Sequence, residues 1–138
     1  IAAIRAHMVP PFFTAPYFLA LTQVGPVVFG GLVYAAITRR GQTDYHRRLM
    51  AGSLVAITEP AFGRLLPMPL MVGWSEWVVL GFQLAMIGAI ALHDRRTIGR
   101  IHPATATAGA IIAMTHVLVE LSAMNPTIID LANRFAAG

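Results

Sequence analysis

Polar residues in this chain fall between long apolar runs more than within them. The first run extends from about Ala15 to Thr38, interrupted by Thr22 and Gln23, and stops at Arg39 and Arg40. A second, the least apolar, runs from Leu49 to Leu66; it carries Glu59, Pro60 and Arg64 and is closed by Pro67 and Pro69. The third spans roughly Trp74 to Leu92 and ends at His93, Asp94, Arg95 and Arg96, and the fourth runs from about 104 to 124 after His102 and Pro103. A hydrocarbon crossing needs about 20 apolar residues in a helix, and none of these runs alternates as a barrel strand would. The pattern predicts an all-α integral membrane bundle of four transmembrane helices, running up and down, as a single transmembrane domain over residues 1–138. After it, Asn125 and Pro126 have the form of a cap and first residue of a short helix over about 126–136. Its apolar Ile128, Ile129, Leu131, Ala132 and Phe135 share one face against Asp130, Asn133 and Arg134, which predicts an interfacial helix on the membrane surface.

Individual residues refine these spans. Pro26, after Gly25, removes a donor in mid-span and is expected to kink the first helix. Gly30, Gly31 and Ala35 offer a flat strip for close helix contact, as do Gly52, Gly81, Gly88 and Gly109 elsewhere. Trp74 and Trp77 stand where an interfacial aromatic belt belongs. Because Glu59 and Arg64 are costly in lipid, the second span is expected to face other helices.

Composition supports the bilayer and removes other classes. Hydrophobic residues make up 57% of the chain and charged residues 12%, with a mean hydropathy of +0.67, outside the balance of an ordinary soluble domain. The net charge is +4 and all ten basic residues are arginine. Arg39, Arg40, Arg47, Arg48, Arg95, Arg96 and Arg100 lie in two short loops, where they act as topology determinants beside lipid headgroups; no nucleic-acid partner is expected. By the positive-inside bias these loops are cytoplasmic, which places both termini in the periplasm. The absence of cysteine excludes disulfides, thiolate metal sites and cysteine nucleophiles. Near Ile1 nothing reads as a signal peptide, since Pro10, Pro11 and Pro16 interrupt the apolar run.

The candidate chemistry is the set of ionisable groups placed inside the spans: Glu59, Arg64, His116 and Glu120. The second and fourth spans run in the same direction, so height can be counted at 1.5 Å per residue. Glu59 lies about 20 Å from His46 and His116 about 21 Å from His102, while Arg64 and Glu120 both lie about 27 Å along. These four form a buried polar cluster in two layers. One role is an outward-opening pocket in which Glu59 and His116 handle a proton and Arg64 holds an anionic group. The other is an ion network that pins the second helix to the fourth. His116 and Glu120, four apart, also have the spacing of two metal ligands with Glu59 as an obvious third, too few for a convincing site, so no metal is expected.

A b-type haem needs two imidazoles at equal depth on facing helices. His46 and His102 meet that condition and His93 comes close, but all three sit among arginines at the rim. His116 has no histidine at its level unless His7 folds back over the outer face. No Ser/His/Asp triad is assembled, because Ser53 and Ser122 lie in spans while Asp44 and Asp94 lie near the opposite rim. Phosphate loops and dinucleotide fingerprints are absent.

The motif His46-Arg47-Arg48-Leu49-Met50 follows an apolar helix, paired arginines and a short loop. It precedes a small-residue helix with Pro60 and Arg64, and Gly99-Arg100-Ile101-His102-Pro103 opens the last span. From about Gly25 to Phe135 this arrangement resembles an uncharacterised family of multi-pass inner-membrane proteins of proteobacteria, marked by a His-Lys/Arg-Arg-Leu-Met motif. The resemblance implies the bacterial inner membrane and further helices before this region, so that Ile1 is not a natural start. It brings no activity. Two functions are therefore expected from different classes: a non-catalytic accessory subunit of a larger, energy-transducing membrane complex, or a haem- or quinone-binding carrier of electrons or protons. A small transporter is the poorer third, since only Pro26 and Pro60 hint at broken helices.

Overall fold

In the computed structural model residues 14–67, 70 and 73–137 are described, without the side chains at 63, 64 and 135–137. His7, Pro10, Pro11, Pro69 and the Arg64 side chain lie outside the described residues. The described residues form six α-helices and no strand: α1 (Ala15–Thr38), α2 (Thr43–Ala56), α3 (Glu59–Leu65), α4 (Ser75–Ile98), α5 (Pro103–Ala123) and α6 (Pro126–Ala137).

The helix ends follow from local chemistry. Thr14 caps α1 by accepting the Tyr17 amide at 3.4 Å, and Pro16 sits in the first turn, where a missing donor costs nothing. α1 then continues through Pro26 without ending. His102 caps α5, its Nδ1 accepting from the Ala104 amide at 3.1 Å, and Asn125 Oδ1 caps α6 by accepting from Thr127 at 2.9 Å. α4 stops at Gly99, whose φ of 73° lies in the left-handed region that favours glycine. Rather than ending at Leu92, α4 runs on through Asp94, Arg95 and Arg96 to Ile98.

Three helices, α1, α4 and α5, are long and apolar enough to cross a membrane. The expected second span, 49–66, is instead two helices, α2 and α3, separated at Ile57 and Thr58. The cause is Pro60. Its ring nitrogen has no proton for the Ala56 carbonyl, and the ring crowds that same carbonyl, which favours a break here. Gln83 of α4 covers the break, its Nε2 donating to the Val55 carbonyl at 3.2 Å and reaching the Ala56 carbonyl at 3.5 Å. Thr58 adds its own hydroxyl to the Val55 carbonyl at 2.7 Å.

Helix α5 lies at the centre of the bundle, against α1, α2, α4 and α6, while α1 packs along α2 and α6. The core is built in short layers: Leu32, Ala36, Leu49 and Ala104 at the arginine-rich end, then Val55, Ile87, Ala108 and Ile112. Tyr17, Ala20 and Val119 close the opposite part. Two glycines make close contacts. A Cβ on Gly52 would stand 2.5 Å from that of Ala108, and one on Gly109 would stand 3.0 Å from Ile87 Cγ2. Gly30, Gly31, Gly81 and Gly88, also expected at helix contacts, have nothing within 4 Å of a Cβ position and face outward. On α6, Ala132 is fully buried against Leu19, whereas Ile129 and Leu131 stay exposed.

Candidate functional site

Two buried polar sites interrupt this apolar packing. One is built around Asp94, near the end of α4. The Arg48 guanidinium donates to Asp94 Oδ1 through Nε at 2.8 Å and through Nη2 at 2.7 Å. Asp94 Oδ2 accepts the Thr105 hydroxyl at 2.6 Å and the His102 amide at 3.2 Å. The remaining Arg48 Nη1 donates to the Asp44 carbonyl and carboxylate at 3.0 and 3.2 Å. No buried side-chain polar atom of this site lacks a partner among the described residues, and α2, α4 and α5 are tied together by it. This is a clamp.

The other site surrounds a cavity of about 30 Å³ bounded by α1, α2, α3, α4 and α5, with Tyr17, Glu59, Gln83, Thr115 and His116 as its polar lining. Glu59, the first residue of α3, is 9% exposed. Its placement follows from the break before Pro60, which turns the chain so that the carboxyl projects at the start of a new helix. Tyr17 of α1 donates its hydroxyl to Glu59 Oε1 at 2.9 Å. Among the described residues no cationic side chain pairs with Glu59. His116 of α5 is 6% exposed, and its Nε2 has no hydrogen-bond partner among the described residues. Glu120 Oε1 lies 3.8 Å from that nitrogen, within electrostatic range but beyond a direct hydrogen bond. Trp77 sets its ring edge-on to the imidazole, with centroids 4.9 Å apart. The Glu76 carboxylate, in the first turn of α4, also acts electrostatically on Glu59, His116 and Glu120.

The structure thus brings Glu59 and His116 onto one cavity, with partly exposed Glu120 one turn beyond His116 on α5. Arg64 lies in α3, in the same element as Glu59. Among the described residues no group of three or more imidazole or carboxylate side chains is placed to hold a metal ion. Tyr17, Gln83 and Glu76 were not singled out from the sequence. The signal for Gln83 was its place in the α4 stripe Val79, Gln83, Ile87 and Asp94, all buried. Tyr17 carried a similar one, being followed by buried Ala20 on the same face.

The three histidines considered as haem ligands are placed differently. His46 Nδ1 lies 2.8 Å from the Ala36 carbonyl at the end of α1, and His102 Nδ1 is taken up by its own helix cap. His102 also meets Tyr45 edge-on, with ring centroids 4.6 Å apart. His93 is exposed on α4. Of the arginines, Arg39 stands 4.9 Å from the centre of the Tyr45 ring, and Arg40, Arg47, Arg95, Arg96 and Arg100 are exposed. Trp74 and Trp77 are largely exposed at the start of α4. No family model, no curated protein and no solved structure matches the chain.

Proposed function

We propose that this chain is a multi-pass membrane protein that takes up and releases a proton at Glu59, inside its helical bundle. One observation carries this: among the described residues a buried carboxyl is held by a single neutral hydroxyl, and it borders a water-sized cavity shared with an imidazole whose Nε2 has no partner there. A carboxyl in such a setting can act as acceptor when ionised and as donor when protonated, and tyrosine and histidine can do both as well. The route runs from half-exposed Glu120 to His116, through one water in the cavity, to Glu59 and Tyr17. About 30 Å³ suffices for that water. A haem or quinone ring needs several times more, so this cavity suits proton transfer better than a resident cofactor. In this proposal α2 and α3 together complete a fourth crossing, and the four crossings run up and down. The arginine-rich end faces the cytoplasm of a bacterial cell, and α6 rests on the opposite surface of the inner membrane. A broken helix at an internal polar site is a familiar device of membrane proteins that move ions.

An apolar carbodiimide, which couples to a protonated carboxyl in a water-poor setting, provides the test. Labelling of Glu59 that falls as pH rises and is abolished in Glu59→Gln is expected. Labelling confined to Glu76 and Glu120, or indifferent to pH, would overturn the proposal.

A second function, an accessory subunit of a larger energy-transducing complex, is favoured by the outward glycines. Gly30 and Gly31 on α1 and Gly81 and Gly88 on α4 leave two faces on which another helix can approach closely. Purification in mild detergent decides it: a stoichiometric membrane partner that is lost in Gly81→Leu/Gly88→Leu supports it, and a chain that always runs alone does not.

A further inference from the structure

The motif His46-Arg47-Arg48-Leu49-Met50 comes apart when its residues are followed into the fold. His46 contacts the last turn of α1 through Ala36, Arg48 is locked to Asp94 and Asp44, and Leu49 is buried in the core. Met50 is half-buried against that core. Arg47 alone is left over: it is exposed and makes no ion pair among the described residues. It stands on the rim of a groove of about 780 Å³ between α2 and α4. Its lining is apolar at Met50, Ala51, Leu54 and Ile90; the other end carries Arg47, His46, His93, Thr97 and Ile98 together with the Asp44–Arg48–Asp94 network. The Arg48–Asp94 bridge ties these two helices together beside the groove.

We infer that this groove binds one anionic phospholipid, an acyl chain lying on the apolar floor and the phosphate at Arg47, with His93 beside it. Met50, Leu54 and Ile90 lie farther from the arginine-rich end than Arg47 and His93, the order in which such a molecule carries its acyl chain and its phosphate. Charge is complementary as well: the end of the bundle that holds the groove carries seven arginines, Arg39, Arg40, Arg47, Arg48, Arg95, Arg96 and Arg100, against two aspartates, Asp44 and Asp94. Arg48 is committed to Asp44 and Asp94, so the phosphate contact falls to Arg47, the one guanidinium of the groove without a carboxylate partner among the described residues, whose planar donors suit a phosphodiester. Basic pockets between helices at a membrane face recognise anionic headgroups by these same interactions.

The test uses the purified full chain in detergent, titrated with phosphatidylglycerol or phosphatidylcholine and read by native mass spectrometry. One phosphatidylglycerol is retained in preference to phosphatidylcholine. Arg47→Gln weakens that retention about five-fold, the effect of one arginine at a headgroup. Ala51→Phe, which fills the floor without touching charge, weakens it too. Arg96→Gln, at the same end but outside the groove, leaves it unchanged, and inorganic phosphate does not displace the lipid. If Arg96→Gln weakens retention as much as Arg47→Gln, the attraction is diffuse and the inference fails. It fails equally if Ala51→Phe has no effect, or if inorganic phosphate competes.

Discussion

Asp94 and Glu59 are both buried carboxylates on helices of one small bundle, and they are held in opposite ways. Asp94 has a guanidinium on one oxygen, and a hydroxyl and an amide on the other, so that although it borders the groove between α2 and α4 both of its oxygens are engaged. Among the described residues Glu59 has one phenol, a neighbouring imidazole with an unused nitrogen, and room for a water. A saturated polar network in a low-dielectric setting is rigid, because each group that moves must abandon a partner. An unsaturated one can exchange protons and water without dismantling the fold. The contrast assigns stability to the first site and chemistry to the second, and it can be tested by removing each in turn.

The largest effect is expected at the clamp. Asp94→Ala leaves the Arg48 guanidinium, with a side chain 13% exposed, without its main counterion. Breaking a buried pair from one side typically costs about 3–5 kcal/mol. Unfolding in detergent micelles followed by circular dichroism should show that loss, while Arg48→Met/Asp94→Leu, which removes both charges, should recover a large part of it. If Asp94→Ala matched the wild type, Asp94 would not be a structural residue and the contrast with Glu59 would collapse.

Next comes the close approach of α2 to α5. Gly52→Ala would place a methyl group 2.5 Å from Ala108 Cβ, a contact that requires the two helices to part. Overpacking of this kind costs about 1–3 kcal/mol. Gly81→Ala, where nothing lies within 4 Å, is the matched control and should unfold like the parent. Because Gly52 is in the helix that carries Arg48, separation of α2 from α5 should also loosen the clamp. The double variant Gly52→Ala/Asp94→Ala should accordingly lose less than the sum of the single changes.

How far these features could be read beforehand depended on which of two signals a residue obeyed. The ends of α1, α5 and α6 follow from apolar length and from single capping residues, Thr14, His102 and Asn125, all local properties. Counting along two helices at a fixed rise set Glu59 and His116 at similar heights, since rise is insensitive to packing. Rotation is another matter, because it depends on which face of each helix meets its neighbours. Asp94 sits in the run His93-Asp94-Arg95-Arg96, which has the composition of a solvated rim, yet it continues the buried stripe of Val79, Gln83 and Ile87 and is 1% exposed. The break at Ile57 and Thr58 was hidden for a different reason. Pro60 could have kinked a continuous helix, as Pro26 is accommodated within α1. At the Pro60 break a tertiary donor, Gln83, meets the Val55 and Ala56 carbonyls, a partner that the local sequence does not reveal.

That donor gives a smaller and more specific test. Gln83→Leu strips the side-chain donor from the Val55 and Ala56 carbonyls beside the cavity; Thr58 still covers Val55, so the Ala56 carbonyl is the one left bare, at a cost of about 1 kcal/mol. Pro60→Ala restores an amide proton that the Ala56 carbonyl can accept within the helix. In a double-mutant cycle Pro60→Ala should therefore offset part of the loss from Gln83→Leu, with a coupling that independent sites would not show. Zero coupling would mean that Gln83 serves the cavity alone and has no part in supporting the break. If the two helices fuse in the Pro60→Ala background, the carboxyl of Glu59 should also turn, and its carbodiimide labelling should fall.

The smallest change in stability is expected at Glu59 itself, and this is where the contrast with Asp94 is sharpest. Glu59→Gln keeps the length of the side chain and an oxygen that can accept from the Tyr17 hydroxyl, now at 2.9 Å. It removes only the capacity to bind and release a proton. Loss of stability should stay within about 1 kcal/mol, the scale of one hydrogen bond exchanged for a similar one. Proton uptake per chain, measured with a pH indicator in weakly buffered micelles, should drop over the range in which the wild-type site titrates. Tyr17→Phe should instead retain uptake while altering its midpoint, because it removes a partner of the carboxyl and not the carboxyl. If Glu59→Gln proved as damaging as Asp94→Ala, the carboxylate of Glu59 would be structural in the same sense, and the unsatisfied imidazole beside it would have no proton to exchange.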